Sequence, residues 1–92
     1  MEIETYEIIV KGRVQGVCYR DFARRTANIF NVFGTAKNLV NGDVKIIAKA
    51  DEISISLFLK ELQKCPALAR VDDIISTTIT TVKNYKDFKI VY

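Results

Sequence analysis

The stretch VKGRVQGVCYRDF, residues 10–22, joins a β-branched run to a helical-looking one through two glycines and a glutamine, with Arg20 inside the helical part. A strand can pass into a helix through as few as about two residues, so this composition reads as a longer loop with Gly12 and Gly16 near its ends. A loop of this kind, running into a helix, aims several backbone N–H groups into one concavity backed by the helix dipole. Gly16 takes positive φ at little cost, which closes such a nest. A side chain in the first helical turn leans back toward the N-terminus, so Arg20 reaches over the loop. Its planar fork suits two oxygens of a phosphate, which the point charge of a lysine grips less well. From the residues alone two readings stay open: a phosphate cradle, or a long connection beside a surface arginine paired to a carboxylate.

Outward from this stretch the chain alternates between strand and helix patterns. IETYEIIVK (residues 3–11) is β-rich and predicts the first strand. From Tyr19 to Asn31, residues Phe22, Ala23, Thr26, Ala27, Ile29 and Phe30 form an i, i+3/i+4 stripe with arginines opposite, the mark of an amphipathic helix. Gly34 and TAKNL then lead into VNGDV, where Asn41-Gly42 is a strong hairpin signal. VKIIAKA (residues 44–50) alternates as a half-buried strand. Asp51 can cap a second helix whose apolar face is Ile55, Phe58, Leu59, Leu62 and Cys65, with Pro66 stopping it. ARVDDIISTTITTV (residues 69–82) predicts a fourth strand and DFKIVY a short final one.

This order predicts an α+β, ferredoxin-like βαββαβ sandwich: an antiparallel sheet with two helices on one face and a short extra C-terminal strand. Right-handed crossovers set the first strand beside the third, and the hairpin sets the second beside the third. The first and second strands are then parallel, and their C-terminal ends bring the Gly12–Val17 loop, Arg20 and Asn38 to one edge. For Asn38 to meet a phosphate over Arg20, its side chain must face the helices together with Ala36, Val40, Val44, Ile46 and Ala48. Directly opposed residues share a face, so Asn38 must pair with Val44. A two-residue Asn41-Gly42 turn would pair it with Lys45. The expectation is therefore an odd-length connection with a bulge and Gly42 left-handed.

Composition bounds the function classes. Residues 1–92 make one domain's length, and 49% apolar content fits a folded chain rather than disorder or a membrane span. The opening MEIETYEIIV has acidic residues where a signal peptide needs basic ones, so the expected location is cytoplasmic, with no membrane partner. Cys18 and Cys65 lie far apart and match no metal spacing. There is no histidine, which removes the usual general base and the commonest metal ligand. Between residues 11 and 38, Lys11, Arg13, Arg20, Arg24, Arg25 and Lys37 face Asp21 alone. Positive charge thus gathers around the loop, which suits an anionic ligand or a solvated basic helix face. Arg24 and Arg25 are assigned to such a face, Tyr19 and Phe22 to the core, and Cys18 to small filler at the loop–helix junction. Gln15 is read as shaping the loop.

GRVQGVCYR followed by GTAKN resembles the acylphosphatase family, whose signature is a G-x-V-Q-G-V-x-[FY]-R loop and a later G-[aromatic]-V-x-N. The resemblance runs nearly end to end, through NGDVKIIAKA, CPALARVDDI and FKIVY. It implies a small stand-alone acylphosphatase that hydrolyses acyl phosphates to a carboxylate and inorganic phosphate. Carried over by position, the phosphate-binding loop corresponds to Gly12, Arg13, Val14, Gln15, Gly16 and Val17. The phosphate-binding arginine corresponds to Arg20 and the water-orienting asparagine to Asn38; Arg20 and Asn38 are the catalytic pair. Thr35, Ala36 and Ala50 depart from the family's usual aromatic residue, valine and glycine.

The residue inventory agrees with this chemistry. A phosphate monoester expels an alkoxide and needs a general acid or a metal. An acyl phosphate expels a carboxylate whose conjugate acid has a pKa of about 4 by analogy with Asp and Glu, so no proton need be supplied. Positioning and charge neutralisation remain. The expectation is no metal and no cofactor. The expected partners are an acyl phosphate substrate and inorganic phosphate as product and inhibitor, in a monomer that binds no nucleic acid. Two alternatives are a non-enzymatic anion- or carbamoyl-phosphate-binding module and an RNA-binding sheet. RNA readers of this shape stack bases on exposed aromatics of the central strands, and YEIIV and VKIIAK offer little of that.

Overall fold

The computed structural model describes residues 2–65, 67–81 and 83–92. Seven elements follow the predicted order: β1 (Ile3–Arg13), α1 (Tyr19–Ile29), β2 (Phe33–Asn38), β3 (Val44–Asp51), α2 (Glu52–Leu62), β4 (Arg70–Ile79) and β5 (Phe88–Val91). The strands form one sheet in the order β4-β1-β3-β2-β5. Its first four strands are antiparallel neighbours, and β5 adds to β2 in parallel. The ferredoxin-like α+β arrangement is therefore present, with a mixed five-stranded sheet. The antiparallel expectation holds for the four-strand core, and the short extra C-terminal strand joins it at the β2 edge in parallel.

Alternation along the strands builds the core. Ile8, Val10, Ala36, Val44, Ile46 and Ala48 are completely buried, and their pairings (Ile8↔Ile46, Val10↔Val44, Ala36↔Ile46) keep them on one face. Ala23 and Ala27 of α1 and Ile55, Phe58 and Leu62 of α2 pack against that face. Phe58 meets Phe88 edge-on at 6.2 Å between centroids. Each large apolar side chain so buried contributes about 1.5–3 kcal/mol. Tyr19 is buried as expected, and Phe22 is half-buried against the same cluster. Leu59 and Cys65 lie at its rim.

Element ends differ from the sequence reading where backbone conformation intervenes. Helix α1 stops at Ile29, not Asn31, because Asn31 adopts φ 56° and Val32 N–H turns back to Ala27 O at 2.9 Å, closing the last turn. Strand β1 continues past Lys11 to Arg13, so Gly12 lies inside the strand. The β1–β4 register shifts between Lys11 and Gly12, where φ is 133°. A Cβ there would stand 2.1 Å from Arg70 O, so only glycine admits β4 this closely. Strand β4 occupies Arg70–Ile79, leaving out Ala69, Thr80 and Thr81 of the predicted 69–82, while Val82 lies outside the described residues. Asp51 caps α2 as expected, accepting from Ser54 N at 2.8 Å. The assignment of Pro66 as the stop of α2 lies outside the described residues.

The β2–β3 hairpin carries the register on which the site depends. Asn38 pairs with Val44, Ala36 with Ile46 and Gly34 with Ala48, as the sequence argument required. Residues 39–43 connect the strands: Leu39 N–H donates to Asp43 O at 2.8 Å, Gly42 N–H to Leu39 O at 3.2 Å, and Gly42 has φ 98°. This is the odd-length, bulged closure. Val40 does not share the helix-facing side as expected, since it sits in the turn and is fully exposed. At the other end of β2, a Cβ on Gly34 would stand 1.7 Å from Ile47 O. Gly34→Ala is therefore expected to cost about 2–4 kcal/mol through backbone collision and φ strain. Gly42→Ala, which meets nothing within 4 Å, should cost about 1–2 kcal/mol from φ alone. Urea denaturation of the two variants checks the order; equal losses would remove the close-approach argument.

Candidate active site

A cavity of about 360 Å³ opens where β1 runs into α1, lined by Val14, Gly16, Cys18, Tyr19, Arg20, Asp21, Asn38, Ile90 and Tyr92. Of the residues expected from sequence, Val14, Gly16, Arg20 and Asn38 meet there. Gly12 and Arg13 are in the ladder with β4, and Gln15 and Val17 are not among the lining residues. The loop proper thus spans residues 14–18.

Its shape follows from two anchors and two left-handed residues. Val14 and Val17 bury their side chains, which pins the segment to the core and leaves its backbone outward. Gly16 has φ 71° and Cys18 φ 61°, the second at the N-cap of α1 without a side-chain cap bond. Positive φ in a residue with a Cβ costs about 1–2 kcal/mol. Cys18 is exposed and lines the cavity, so it holds a strained corner rather than filling a junction. Among the described residues, no backbone N–H of residues 14–18 donates to a backbone carbonyl. A row of unclaimed donors at a helix N-terminus is an anion site in kind.

Arg20 is held from the C-terminal side. Its Nη1 donates to Val91 O at 3.3 Å, and its guanidinium lies 4.8 Å from the centroid of the Tyr92 ring. Among the described residues it makes no ion pair, so the reading of a surface arginine neutralised by a carboxylate fails. Asp21 is the carboxylate nearest in sequence, and it is engaged elsewhere. Arg24 bonds one oxygen, and Arg25 Nε approaches the other at 3.0 Å. These bonds, Arg24's first, hold the Asp21 carboxyl below its ordinary range. The two arginines read as a solvated face therefore also offset the charge of Asp21, the one acidic side chain among the described residues lining the cavity. Val91 and Tyr92 were missed as site residues. The visible signal was FKIVY, but only the parallel pairing of β5 with β2 brings it to Arg20.

Asn38 ends β2 on the helix-facing side. Its Oδ1 is buried and has no hydrogen-bond partner among the described residues. A buried acceptor left so costs about 1–3 kcal/mol. Of the departures from the family pattern, Thr35 pairs with Ile47 on the helix-free face and so does not touch Asn38. Ala36 is buried against Ile46 on the core side, and Ala50 pairs with Glu4 at the far end of β3. Tyr19 O–H donates to Leu62 O at 2.8 Å, and burial pushes the hydroxyl far above its ordinary pKa. Neither Tyr19 nor the ion-paired Asp21 is poised to move a proton near neutral pH.

The family comparisons agree along the whole chain. The acylphosphatase family model matches residues 6–90. An acylphosphatase of Clostridium acetobutylicum is 42% identical over 90 residues, covering 98% of this chain and 99% of that protein. The crystal structure of acylphosphatase from Bacillus subtilis superposes with a TM-score of 0.91 at 33% identity, covering 99% of this chain and 100% of that one. HypF of T. kodakarensis superposes at 0.88 with 33% identity, covering 97% of this chain and 12% of its own. The chain belongs to the acylphosphatase family, hydrolases that cleave acyl phosphates.

Proposed function

We propose that the chain hydrolyses acyl phosphates without a metal, with the loop amides and Arg20 binding the phosphoryl group and Asn38 orienting the attacking water. The observation that carries this reading is the buried, unpartnered Asn38 Oδ1 on the wall of the cavity that also holds Arg20 and Gly16. An acceptor there takes one hydrogen of a water and turns the water's lone pair toward phosphorus. The bond between phosphorus and the acyl oxygen breaks, a new P–O bond forms to the water, and the bonding pair leaves on the carboxylate. The water's proton passes to a phosphoryl oxygen of the substrate itself, since Asp21 is held by two arginines and the Tyr19 hydroxyl is committed to Leu62 O. Charge on the phosphoryl oxygens is met by Arg20 and the N–H groups of residues 14–17, which is the main demand of phosphoryl transfer. Gly12 and Arg13 contribute by setting where the loop departs from β1.

The leaving carboxylate needs neither an acid nor a Lewis acid, which supports metal-independent turnover. Location in the cytoplasm and a monomeric state belong to the same reading. The cytoplasmic part of it is in keeping with two free cysteines, as a reducing compartment would leave them.

Release of phosphate from benzoyl phosphate is expected to proceed unchanged in excess EDTA, and inorganic phosphate should inhibit competitively. Loss of turnover restored by a divalent cation would contradict this. Arg20→Lys loses the bidentate fork, so the phosphate inhibition constant should rise by about 10- to 100-fold along with the loss of turnover, the scale of a charged hydrogen bond. Asn38→Ala should lower kcat by about 100- to 1000-fold while leaving phosphate inhibition nearly intact. Equal loss of phosphate binding in both variants would sink the assignment of Asn38 to the water.

A further inference from the structure

The side chain of Gln15 is not among those lining the cavity, and it makes two long-range bonds that the reaction does not itself call for. Its Nε2 donates to Leu39 O at 2.7 Å and to Asp43 O at 2.9 Å. Both partners are carbonyl oxygens, so both must receive N–H, and the amide has a single orientation that uses both of its hydrogens. These two carbonyls close the neck of the β2–β3 hairpin, where they also accept from Gly42 N and Leu39 N. Asn38 is the residue immediately before that neck. A second tie runs from β1 to the same hairpin, Lys11 Nζ to Asp43 Oδ2 at 2.8 Å. Lys11 is nearly half exposed there, so that pair is screened and adds little directional constraint.

We propose that Gln15 is a positioning residue: its amide clamps the phosphate loop to the hairpin, so that the loop amides and Asn38 move as one body. The proposal rests on the reading of Asn38 as the water-orienting residue. The two halves of the site arrive from separate parts of the chain, the loop following β1 and Asn38 ending β2. The hairpin beyond Asn38 is a turn with an exposed tip, Val40. In-line attack tolerates little error between phosphorus and water, and a 1 Å displacement of one half relative to the other is enough to slow chemistry steeply. A glutamine at this position spans the gap. A glutamate of the same shape would set carboxylate oxygens against two carbonyl oxygens.

The test compares Gln15→Met, which keeps the side chain's length, and Gln15→Ala with the unaltered protein and with Asn38→Ala. The readouts are benzoyl phosphate turnover, inhibition by inorganic phosphate, and amide hydrogen exchange followed by NMR. Backbone N–H groups of the loop remain in every variant, so phosphate should still bind. In both Gln15 variants kcat should fall by about 10- to 100-fold, with the phosphate inhibition constant within about twofold. The Leu39 amide should exchange faster while those of Ile8 and Ile46 do not. A kcat within about twofold of the unaltered protein, or a phosphate constant that rises in step with the loss of kcat, would overturn the proposal. Loss of the folded state in both variants would overturn it too, because the role would then be general stability. If Asn38→Ala retains turnover, the reading of Asn38 itself falls. If Asn38→Ala is inactive and the Gln15 variants are not, only the clamp falls.

Discussion

The antiparallel register between β2 and β3 is the constraint on which the site depends. Side chains alternate across a strand, so one residue of slip would carry Asn38 to the helix-free face and turn Leu39 toward the helices instead. Three independent features hold the register. Gly42 accepts the positive φ that an odd-length closure demands, Gly34 lets the Ile47 carbonyl approach where any Cβ would collide, and buried Ala36 stands opposite buried Ile46 on the helix-covered face. Each is local and modest. Together they favour this alignment over a one-residue slip.

Given that register, the electrostatics of the cavity are set by which charges are left over. Asp21 stands at its wall, yet Arg24 and Arg25 take both of its oxygens from the exposed side of α1. Arg20, one turn earlier on the same helix, is turned to the C-terminal strand, where it meets a carbonyl and an aromatic ring rather than a carboxylate. Its charge therefore stays uncancelled beside backbone donors that have no backbone acceptor among the described residues. Uncancelled positive charge beside such donors favours an anion, in keeping with the proposed reading of the cavity. This suits a reaction whose leaving group departs as a stable carboxylate.

The loop shows how rigidity is obtained from a segment that makes few hydrogen bonds of its own. Val14 and Val17 act as pegs in the core, while Gly16 and Cys18 turn the chain between and beyond them. Polar backbone is thus left facing outward without the segment becoming loose. The strain at Cys18, a residue with a Cβ held at φ 61°, is tolerated because burial on either side over-determines the path.

Much of this was legible from the residues in order. Periodicity marked the strands and helices, Asp51 announced the cap of α2, and the demand that Asn38 and the apolar positions of β3 share a face was enough to require an odd-length turn with Gly42 left-handed. The GRVQGVCYR and GTAKN segments carried the family. What pattern alone did not reveal depends on contacts between segments distant in sequence. The end of α1 turned on a left-handed Asn31, and the extension of β1 on how closely β4 approaches Gly12. The two bonds of Gln15 reach residues 24 and 28 positions away, and the support of Arg20 by Val91 reaches 71. Periodicity reports which face a residue takes, because that is a property of one element. Which carbonyl a side chain finds there is a property of two elements, and only packing brings them together.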